Sequence, residues 1–407
     1  MIFGAFKGWT KSQRHALIAS YLGWTLDAFD FFLLIFVMVD VAEEFGVSVE
    51  TVTWAVTLTL AMRPIGALLF GRLADRYGRR PVLMANVLAF SILGFATAFS
   101  PDLIVFLILR ALFGIAMGGE WGVGASLTME SIPVKSRGVA SGLLQAGYPS
   151  GYLLAAVVYA LLYDVIGWRG MFIVGALPAL LVLYIRSFVA ESPAWSSQGP
   201  GAARMLDVLR KHWSLALYAM VFMMGMAFFS HGTQDLYPTF LKLDRGLDPQ
   251  AIGIIAVIYN IGAILGGLIF GALSQAIGRR YALALGAGLA LLITPFWAMA
   301  DGVVMLAVAA FAMQFMVQGC WGIVPAHLNE ISPAEVRGTF PGFVYQLGNL
   351  LASYNATMQA GIASRYGSYG IALALVAAGA AITVGLLALA GREAKEIDMA
   401  YAEEEGG

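Results

Sequence analysis

The sequence predicts an all-α membrane protein whose twelve transmembrane helices form two six-helix repeats. Three observations support this prediction: an apolar composition, a regular placement of positive charge and an internal repeat. In 407 residues the hydrophobic share is 60%, the charged share is 12% and the mean hydropathy is +0.79. These values lie far outside the range of soluble globular chains. The composition therefore predicts a polytopic membrane protein.

Apolar runs of about 20 residues, separated by polar residues, indicate the membrane helices. Residues 1–15 are polar and basic, and the apolar run behind them is too long for the core of a cleavable signal peptide. We therefore expect the first helix to remain in the mature chain. The helices are expected at residues 16–40, 51–71, 82–100, 103–129, 138–163, 167–189, 214–240, 250–274, 281–300, 302–329, 338–363 and 369–391.

Lysine and arginine predict the orientation of these helices. Of the 24 Lys and Arg residues, eighteen fall in the N-terminal tail, in even-numbered loops or in the C-terminal tail. Cytoplasmic loops carry an excess of positive charge, so both termini are predicted to be cytoplasmic. An odd number of helices would destroy this alternation. The exceptions are Arg63 and Arg110 inside helices, and Arg169, Lys242, Arg245 and Arg365 in odd-numbered loops.

An internal repeat divides the chain into two halves. A shift of 200 positions places "FGRLADRYGRR" (70–80) on "FGALSQAIGRR" (270–280) and "ESIPVKSRG" (130–138) on "EISPAEVRG" (330–338). The same shift places Gly119, Trp121 and Gly122 on Gly319, Trp321 and Gly322. One offset across separate segments predicts two parallel six-helix repeats. In that architecture a substrate site lies between the halves, near the membrane midplane.

The domain boundaries follow from the repeat and from composition. Residues 186–211 mix charges with Ser, Gly and Pro and have no long apolar run, so they are expected to contain the linker between the repeats. The single cysteine, Cys320, excludes an intramolecular disulfide framework. The expected six-helix bundles are residues 16–189 and 213–391, joined by a cytoplasmic linker at 190–212. The expected cytoplasmic tails are residues 1–15 and 392–407.

Two motifs carry a resemblance to a known family. The loop "GRLADRYGRR" (71–80) resembles the signature loop between the second and third helices of the major facilitator superfamily. The segment "RALFGIAMGGEWGVG" (110–124) resembles the fourth-helix pattern of the same superfamily. The resemblance covers nearly the whole chain, and it implies the major facilitator fold and a transport function.

The resemblance also implies that the loop after the second helix is a gating latch. Asp75 ends a helix, where it can pair with a basic group or a helix N-terminus, and the arginines of the loop hold it in the cytoplasm. The simpler interpretation is that the arginines of the loop only determine the orientation of the helices in the membrane. Gln275 takes the place of Asp75 in the second repeat, so only the first repeat is expected to keep the full latch. The latch residues are Gly71, Asp75, Arg76, Gly78, Arg79 and Arg80.

The seventh helix ends in "SHGTQDLYPT" (230–239), which resembles an element of lactate and pyruvate proton symporters in the sialate:proton symporter family. "GWTLDAFDFFLL" (23–34) and "ESPAW" (191–195) are also similar to that family. The lactate permease pattern begins with Asn three positions before the Ser, where this chain has Ala227. The resemblance transfers to Ser230, His231, Thr233, Gln234, Asp235 and Thr239.

The residues of this element support a role in proton coupling. His231 and Asp235 are four residues apart, so they share one helix face. Asp235 can stabilise a charged imidazole, or His231 can orient a carboxylate that takes and releases a proton. Pro238 frees a backbone carbonyl and predicts a bent helix. The alternative is that the pair lies at the outer headgroup level without a role in transport.

Arg63 is the strongest candidate for substrate binding. It lies about nine residues from the cytoplasmic end of its helix, or roughly 14 Å into a bilayer core about 30 Å thick. Its planar fork suits a carboxylate. Asp27 or Asp30 in the first helix could balance the arginine when the site is empty. A permanent structural pair between Arg63 and Asp27 is the alternative.

Other polar and aromatic residues are weaker candidates. Glu120 could form a site pair with Arg110 and carry a proton, or it could bond to a neighbouring helix. Gln346 and Asn349 could donate hydrogen bonds to an oxyanion or hold helices together. His327 is expected to brace a loop. Aromatic residues that could shape a pocket are Trp24, Phe31, Tyr148, Trp321 and Tyr345.

These observations predict a secondary active transporter rather than an enzyme. The sequence has no nucleotide-binding loop and no soluble catalytic domain, so an ion gradient is the expected energy source. The predicted function is symport of a small organic anion, lactate-like or pyruvate-like, with a proton by alternating access. The predicted location is the bacterial inner membrane.

Two other functions remain open from the sequence. A sialic acid:proton symporter of the same family would need a larger and more polar cavity. A non-transporting nutrient sensor on the same fold usually carries long cytoplasmic extensions. No cofactor, metal or nucleic acid is expected. The predicted partners are the small anion, the proton and the lipid bilayer, and the chain is expected to be a monomer.

Overall fold

The computed structural model describes residues 6–198, 207 and 210–399, and it is all-helical with no strand among them. Ten of its helices are long and apolar enough to cross a membrane. Two further crossings consist of shorter helical parts separated by a break, and with the ten they complete the twelve predicted helices. We label the crossings α1 to α12, and an interrupted crossing keeps one label.

The bounds of the first repeat are α1 Lys11–Phe45, α2 Val49–Tyr77, α3 Arg79–Thr97 and α4 Leu103–Ser131, followed by Arg137–Gln145 and Gly147–Val174. The run Gly147–Val174 turns at Gly167, where φ is 61°. We assign the part before this turn, with Arg137–Gln145, to α5, and the part after it, with Ala179–Phe188, to α6. A short helix, Pro193–Gln198, follows in the linker.

The second repeat is built in the same way. Its bounds are α7 Trp213–Gln234 with Tyr237–Leu243, α8 Pro249–Ile277, α9 Arg279–Met299, α10 Val303–Trp321 with Val324–Ile331, α11 Phe340–Ala352 with Asn355–Tyr366, and α12 Tyr369–Ala390.

Polar residues in the loops begin several of these helices. The side chains of Ser48, Asp102 and Asp248 accept the N–H groups of residues three positions on, at 3.2, 2.9 and 2.9 Å. Such N-caps satisfy backbone donors that have no partner inside the helix. The helices that these caps begin start within a few residues of the predicted positions.

The sixth and eleventh crossings are expected as continuous helices, and the structure interrupts both. In α6 the break falls at residues 175–178, and Pro178 there lacks the N–H that a continuous helix requires. In α11 the break falls at Ser353 and Tyr354. The Ser353 hydroxyl donates to the carbonyl of Leu350 at 2.7 Å, a local bond that competes with the regular helical pattern. The bend predicted at Pro238 coincides with the break between the two parts of α7.

Helix pairs related by the repeat pack alike. In the first repeat α2 packs along α4 and α1 along α5; in the second, α8 packs along α10 and α7 along α11. Small residues allow the closest contacts, because a Cβ on Gly66 would lie 1.7 Å from the carbonyl oxygen of Ile115. Close backbone approach through small residues is typical of helix packing in membranes.

The repeats meet most closely at one end, which we call the terminal end because segments near both chain termini pack there. Trp9 donates its indole N–H to Ser136, and Arg137 donates to the carbonyl of Ile397 at 2.5 Å. Met399 is also buried there. The C-terminal segment therefore reaches from the second repeat to a residue of the first.

Two seams join the repeats at the terminal end. In the first seam, α2 and α4 meet the start of α11: Gly122 is packed so tightly that an added Cβ would lie 2.8 Å from the Cα of Gly342. In the second seam, α5 meets α8, and a Cβ on Gly142 would lie 2.3 Å from the carbonyl oxygen of Gly267. Backbone contacts on both sides close this end of the molecule.

Candidate functional site

A cavity of about 620 Å³ lies between the two repeats, on the side of the seams away from the terminal end. The first repeat contributes residues from α1, α2 and α5, and the second repeat contributes residues from α7, α8, α10 and α11. The wall contains Phe31, Phe32, Arg63, Gln145, Tyr148, Tyr152, Ser230, His231, Gln234, Asp235, Tyr259, Asn260, Gln318, Trp321, Tyr345 and Asn349.

Arg63 on α2 is the arginine of the cavity wall. Its residue is only 4% exposed, and its Nε and Nη2 have no hydrogen-bond partner among the described residues. Its Cζ lies 6.0 Å from the ring centroid of Tyr345, which provides a weak cation–π contact across the two repeats. A buried guanidinium with free donors costs free energy unless a partner of opposite charge binds. The donors Nε and Nη2 of Arg63 are therefore free to accept a partner at the cavity wall.

Asp27 lies behind Arg63 on α1 and does not line the cavity. Its carboxyl group is fully buried, and in the described part of the chain neither oxygen has a hydrogen-bond partner. Arg63 is the cation whose charge acts on it. The predicted neighbourhood of Arg63 and Asp27 is therefore present, without a direct bond between the two side chains.

Asp30 faces Arg110 rather than Arg63. Its Oδ2 lies 3.6 Å from Nη2 of Arg110, and both side chains are buried between α1 and α4. Arg110 also donates to the hydroxyl of Thr97 at 3.0 Å and packs against the Phe113 ring at 4.3 Å. The expected partnership of Arg110 with Glu120 is thus replaced by one with Asp30, because Glu120 points toward α1 at another level.

Glu120 is fully buried, and its nearest neighbours lie on α1. A Cβ on Gly23 would meet its Oε1 at 2.3 Å. Neither carboxyl oxygen has a hydrogen-bond partner within residues 6–198 and 210–399. The charge of Asp27 acts on it, and no arginine contacts it in that part of the chain. Inter-helix bonding, one of its predicted roles, is not visible in this arrangement.

His231 and Asp235 share one face of α7, as predicted, and their side chains are partly exposed in the cavity. Nδ1 of His231 lies 3.1 Å from Oδ1 of Asp235. The other oxygen of Asp235 accepts a hydrogen bond from Asn355 at 3.3 Å. Asp235 is therefore held from α7 and from the start of the second part of α11.

Carboxamides of α10 anchor the rest of the α7 motif. Gln318 donates to the hydroxyl of Ser230 at 3.1 Å, and Gln234 donates to Gln314 at 2.7 Å. Gln314 in turn donates to the hydroxyl of Thr233 at 3.1 Å. These bonds fix the orientation of the motif toward the cavity, which supports its assignment as part of the site.

The aromatic wall joins the two repeats. The ring of Tyr345 packs between Trp121, at 4.5 Å, and Trp321, at 5.4 Å. Tyr148 on the opposite side stacks on Trp24 at 5.3 Å. Because Trp24 is fully buried, it supports Tyr148 rather than lining the cavity.

The structure brings together most of the predicted substrate-binding residues. Gln346 is an exception, because its side chain is buried outside the cavity wall beside Asn349. His327 is buried against Phe222, and neither ring nitrogen has a hydrogen-bond partner among the residues described. The predicted site residues that line the wall together are Arg63, His231, Asp235, Trp321, Tyr345 and Asn349.

Sequence reasoning did not single out several other residues of the wall, among them Gln145, Tyr152, Tyr259, Asn260 and Gln318. Asn260 and Gln318 could have been found, because each is an uncharged polar side chain within an apolar helix, where such residues bond to other helices or to ligands. The described residues contain no group of three or more His, Cys, Asp or Glu placed to hold a metal ion.

Asp75 and Arg79 of the predicted latch lie at the first seam. Asp75 accepts the N–H of Gly338 at 2.8 Å and the hydroxyl of Thr339 at 2.5 Å, so it connects the two repeats directly. It also pairs with Arg79 at 3.0 Å, and Arg79 makes a bidentate pair with Glu130. The side chains of Asp75, Arg79, Glu130 and Thr339 are all buried, and charge-assisted bonds of this kind are strong.

The remaining latch residues differ in their contacts. Gly78 has a φ of 102°, which favours glycine, and it separates α2 from α3. The next two N–H groups, of Arg79 and Arg80, donate to the carboxylate of Glu191 in the linker. Arg76 instead stacks on Tyr77 and takes no part in the seam bonds described above.

The second seam repeats the latch with a neutral residue. Gln275 accepts the N–H of Gly138 at 3.1 Å and a hydrogen bond from Arg279 at 3.0 Å, and Arg279 pairs with Glu330 at 2.8 Å. The second repeat therefore keeps the geometry of the latch, although it lacks the carboxylate of Asp75.

Comparison with known proteins places these features in a wider context. A Saccharomyces cerevisiae protein described as a carboxylic acid transporter protein homolog is 31% identical over 374 residues, which cover 85% of this chain and 61% of that protein. This chain thus spans less than two thirds of that relative's length. The sialic acid transporter NanX of Escherichia coli is 28% identical over 394 residues, which cover 95% of each chain.

A solved structure shares the fold. The proton:xylose symporter XylE, solved with bound 6-bromo-6-deoxy-D-glucose, superposes with a TM-score of 0.73 over 92% of this chain and 94% of that chain, at 19% identity. The sequence model of the Major Facilitator Superfamily matches residues 20–353 and 236–399. With its two six-helix repeats and these matches, the chain belongs to the major facilitator superfamily.

Proposed function

We propose that this protein is a secondary active transporter that moves a small monocarboxylate together with a proton by alternating access. The observation that carries the proposal is the guanidinium of Arg63 on the wall of a cavity between the repeats, whose Nε and Nη2 have no hydrogen-bond partner in the described part of the chain. Lactate and pyruvate are the first candidate substrates. The name of the yeast relative, a carboxylic acid transporter homolog, agrees with this substrate class.

Arg63 would bind the carboxylate through two parallel N–H···O bonds, a geometry that a guanidinium provides and an ammonium does not. The opposite wall offers hydrogen-bonding groups from His231, Gln318 and Asn349. They can reach a hydroxyl or keto oxygen of the anion. Tyr345 and Trp321 provide the apolar surface between these polar groups and bury the carbon skeleton.

Acidic groups and a histidine near the site are the candidates for proton coupling: Asp27, Asp30, Glu120, His231 and Asp235. Binding one proton with one carboxylate moves no net charge, so the pH gradient would drive accumulation. A pH difference of about one unit supports roughly tenfold accumulation at this stoichiometry, because tenfold corresponds to about 1.4 kcal/mol.

The closed terminal end supports alternating access. With both termini in the cytoplasm, as the charge pattern predicts, the cavity faces the outside and the two seams block the cytoplasmic path. The bundles at 16–189 and 213–391 would rock against each other around the site, with 190–212 as the linker and 1–15 and 392–407 as cytoplasmic tails. The latch residues at the first seam would hold the outward-facing state, and the bacterial inner membrane is the proposed location.

Uptake of radiolabelled L-lactate into proteoliposomes, with the inside alkaline, tests the proposal. We expect accumulation that a protonophore abolishes. Arg63→Ala should lower uptake at least about a hundredfold, because a charge-assisted bidentate contact contributes roughly 3 kcal/mol. Arg365→Ala removes an exposed arginine far from the cavity and should leave uptake unchanged.

Two results would contradict the proposal. Lactate and pyruvate uptake that ignores the pH gradient would exclude proton coupling. Equal uptake by Arg63→Ala and Arg365→Ala would show that the carboxylate binds elsewhere.

Sialic acid is the second candidate substrate, and one observation favours it. Five carboxamides of the wall, Gln145, Gln234, Asn260, Gln318 and Asn349, suit a substrate with several hydroxyl groups. One relative is a sialic acid transporter. Ala227 gives no support, because it is fully buried and outside the wall. Competition of unlabelled sialic acid with labelled lactate separates the two, and sialic acid uptake without lactate uptake would select the second.

A further inference from the structure

We infer that Asp27 is the residue that carries the coupled proton, and that Glu120 stays protonated throughout the transport cycle. This inference rests on the proposed function and goes beyond it, because it selects one carrier among five candidates. The proton carrier is the acidic group whose neighbouring cation also binds the substrate.

The groups around Asp27 and Glu120 are few. The charges of Arg63 on α2 and of Asp30 on its own helix act on Asp27, and the charge of Asp27 acts on Glu120 on α4 and on Tyr148 on α5. With Arg110, which pairs with Asp30, two arginines thus face three carboxyl groups in this buried region of the first repeat. One carboxyl group must be neutral even before substrate arrives, since an unpaired buried charge is costly.

Glu120 is the carboxyl group that must be neutral from the start. It is fully buried, contacts no cation in the part of the chain described and points at the backbone of Gly23. The hydroxyl of Ser20 is also fully buried and without a hydrogen-bond partner among the described residues. A Cβ on Gly124 would lie 3.5 Å from both Ser20 Oγ and Glu120 Oε1, so the two groups share one small space. A protonated carboxyl and a hydroxyl are compatible there, whereas a carboxylate has no counter-charge.

Asp30 stays paired with Arg110 throughout the proposed transport cycle. Arg110 lies 3.6 Å away, and neither side chain reaches the cavity wall. The backbone of α3 encloses the carboxylate, because a Cβ on Gly94 would lie 2.9 Å from Asp30 Oδ2. A substrate bound at Arg63 therefore leaves this pair unchanged.

His231 and Asp235 do not depend on the substrate for charge balance. They pair with each other at 3.1 Å, and their side chains are 39% and 33% exposed. Protons exchange there with water of the cavity whether or not Arg63 is occupied. This pair suits substrate contact better than obligatory coupling.

Among the three buried carboxyl groups, Asp27 is the one whose counter-charge is taken when the anion binds. In the empty site Arg63 is its counter-charge; in the loaded site the substrate carboxylate takes Arg63 as its partner. Asp27 would then be a buried carboxylate without a cation, so it must accept one proton from water on the open side. The balance is one proton per carboxylate, no bond of the substrate changes, and the proton leaves when the anion leaves Arg63 on the other side.

Matched amide variants test the inference in proteoliposomes with two assays. Accumulation of labelled lactate driven by a pH gradient requires proton coupling, whereas exchange of labelled for unlabelled lactate requires only binding and alternating access. Asp27→Asn should keep exchange within about threefold of wild type but lose the roughly tenfold accumulation that one pH unit supports. Glu120→Gln should keep the accumulation and its pH dependence.

Failure of the inference is distinct from failure of the proposed function. Absence of gradient-driven accumulation in the wild type would reject the proposed function. With wild-type accumulation intact, the inference is wrong if Asp27→Asn still accumulates lactate, or if Glu120→Gln loses accumulation and keeps exchange. Accumulation driven by a sodium gradient at equal pH would also overturn it, because the carboxyl pair would then bind a metal cation.

A second measurement avoids dependence on the folding of Asp27→Asn. Infrared difference spectra of the wild type should show a new carboxylic acid C=O band when lactate is added. The same band should form in Glu120→Gln and be absent in Arg63→Ala. A band that disappears in Glu120→Gln would assign the proton to Glu120 instead.

Discussion

The two seams at the terminal end use sequence positions 200 apart, yet one carries a charge and the other does not. At the first seam Asp75 accepts the N–H of Gly338 at 2.8 Å, and at the second Gln275 accepts the N–H of Gly138 at 3.1 Å. The bond therefore forms with either a carboxylate or an amide. Backbone shape sets where the repeats touch, and the residue at the latch position sets how strongly they hold.

The seams also differ in what else they connect. Asp75 accepts hydrogen bonds from both Gly338 and Thr339 across the first seam, so breaking that seam removes both of these partners, while Arg79 of its own repeat stays paired with it. Gln275 accepts one hydrogen bond across the second seam, from Gly138, and its bond to Arg279 stays within the second repeat. We therefore expect the first seam to contribute more to the closed terminal end.

The largest effect is expected from a change that prevents contact at the second seam. In Gly142→Val the new side chain would meet the carbonyl of Gly267, since even a Cβ would lie 2.3 Å from it. We expect the closed terminal end to lose about 3 kcal/mol, or roughly a hundredfold in population. Spin labels at Lys135 and Glu335, exposed at this end, measure its opening in a Cys320→Ala background.

The control for this variant is Gly253→Val on the same helix as Gly267, where an added Cβ has open space around it. Its distance distribution should match that of the parent. An unchanged distribution in Gly142→Val would mean that the seam is not a limit on opening.

An intermediate effect is expected at the first seam. Asp75→Ala removes the two bonds across the seam, to Gly338 and Thr339, and at about 1 kcal/mol net for each hydrogen bond the closed end loses about 2 kcal/mol. The label distance should shift toward the open form by about tenfold or more in population. Asp75→Asn copies the chemistry of the second seam and should lie between Asp75→Ala and the parent.

The smallest effect is expected from Gln275→Ala at the second seam. A single neutral hydrogen bond to Gly138 is lost, which is worth about 1 kcal/mol. The shift in population should be about fivefold, measured with the same labels. Equal shifts in Gln275→Ala and Asp75→Ala would refute the difference between the seams.

Much of the fold could be predicted because its signals are one-dimensional. Helix lengths follow from apolar runs, and the repeat is visible as a constant offset between residues 70–80 and 270–280. The breaks in α6 and α11 were harder to foresee. Pro178 is a visible reason for the first, whereas Ser353 and Tyr354 carry no strong breaking signal.

The candidate site was predictable in part. Polar residues stand out in apolar helices, so Arg63, His231 and Asn349 were found, and all three line the cavity. Pairing was not predictable in the same way. Asp27 and Asp30 are three residues apart on one helix, yet they face different arginines.

The order of residues along the chain is enough to predict a twelve-helix membrane protein with a two-fold repeat, because transfer of apolar segments into lipid and exclusion of charge from it depend on local composition. The identity of each ion pair and the shape of the cavity depend instead on contacts between helices far apart in sequence. Arg110 meets Asp30 from 80 positions away, and Asp75 meets Gly338 from 263 positions away. Such contacts form only when the helices pack, because hydrogen bonds and ion pairs weaken steeply once the two partner groups move a few ångströms apart.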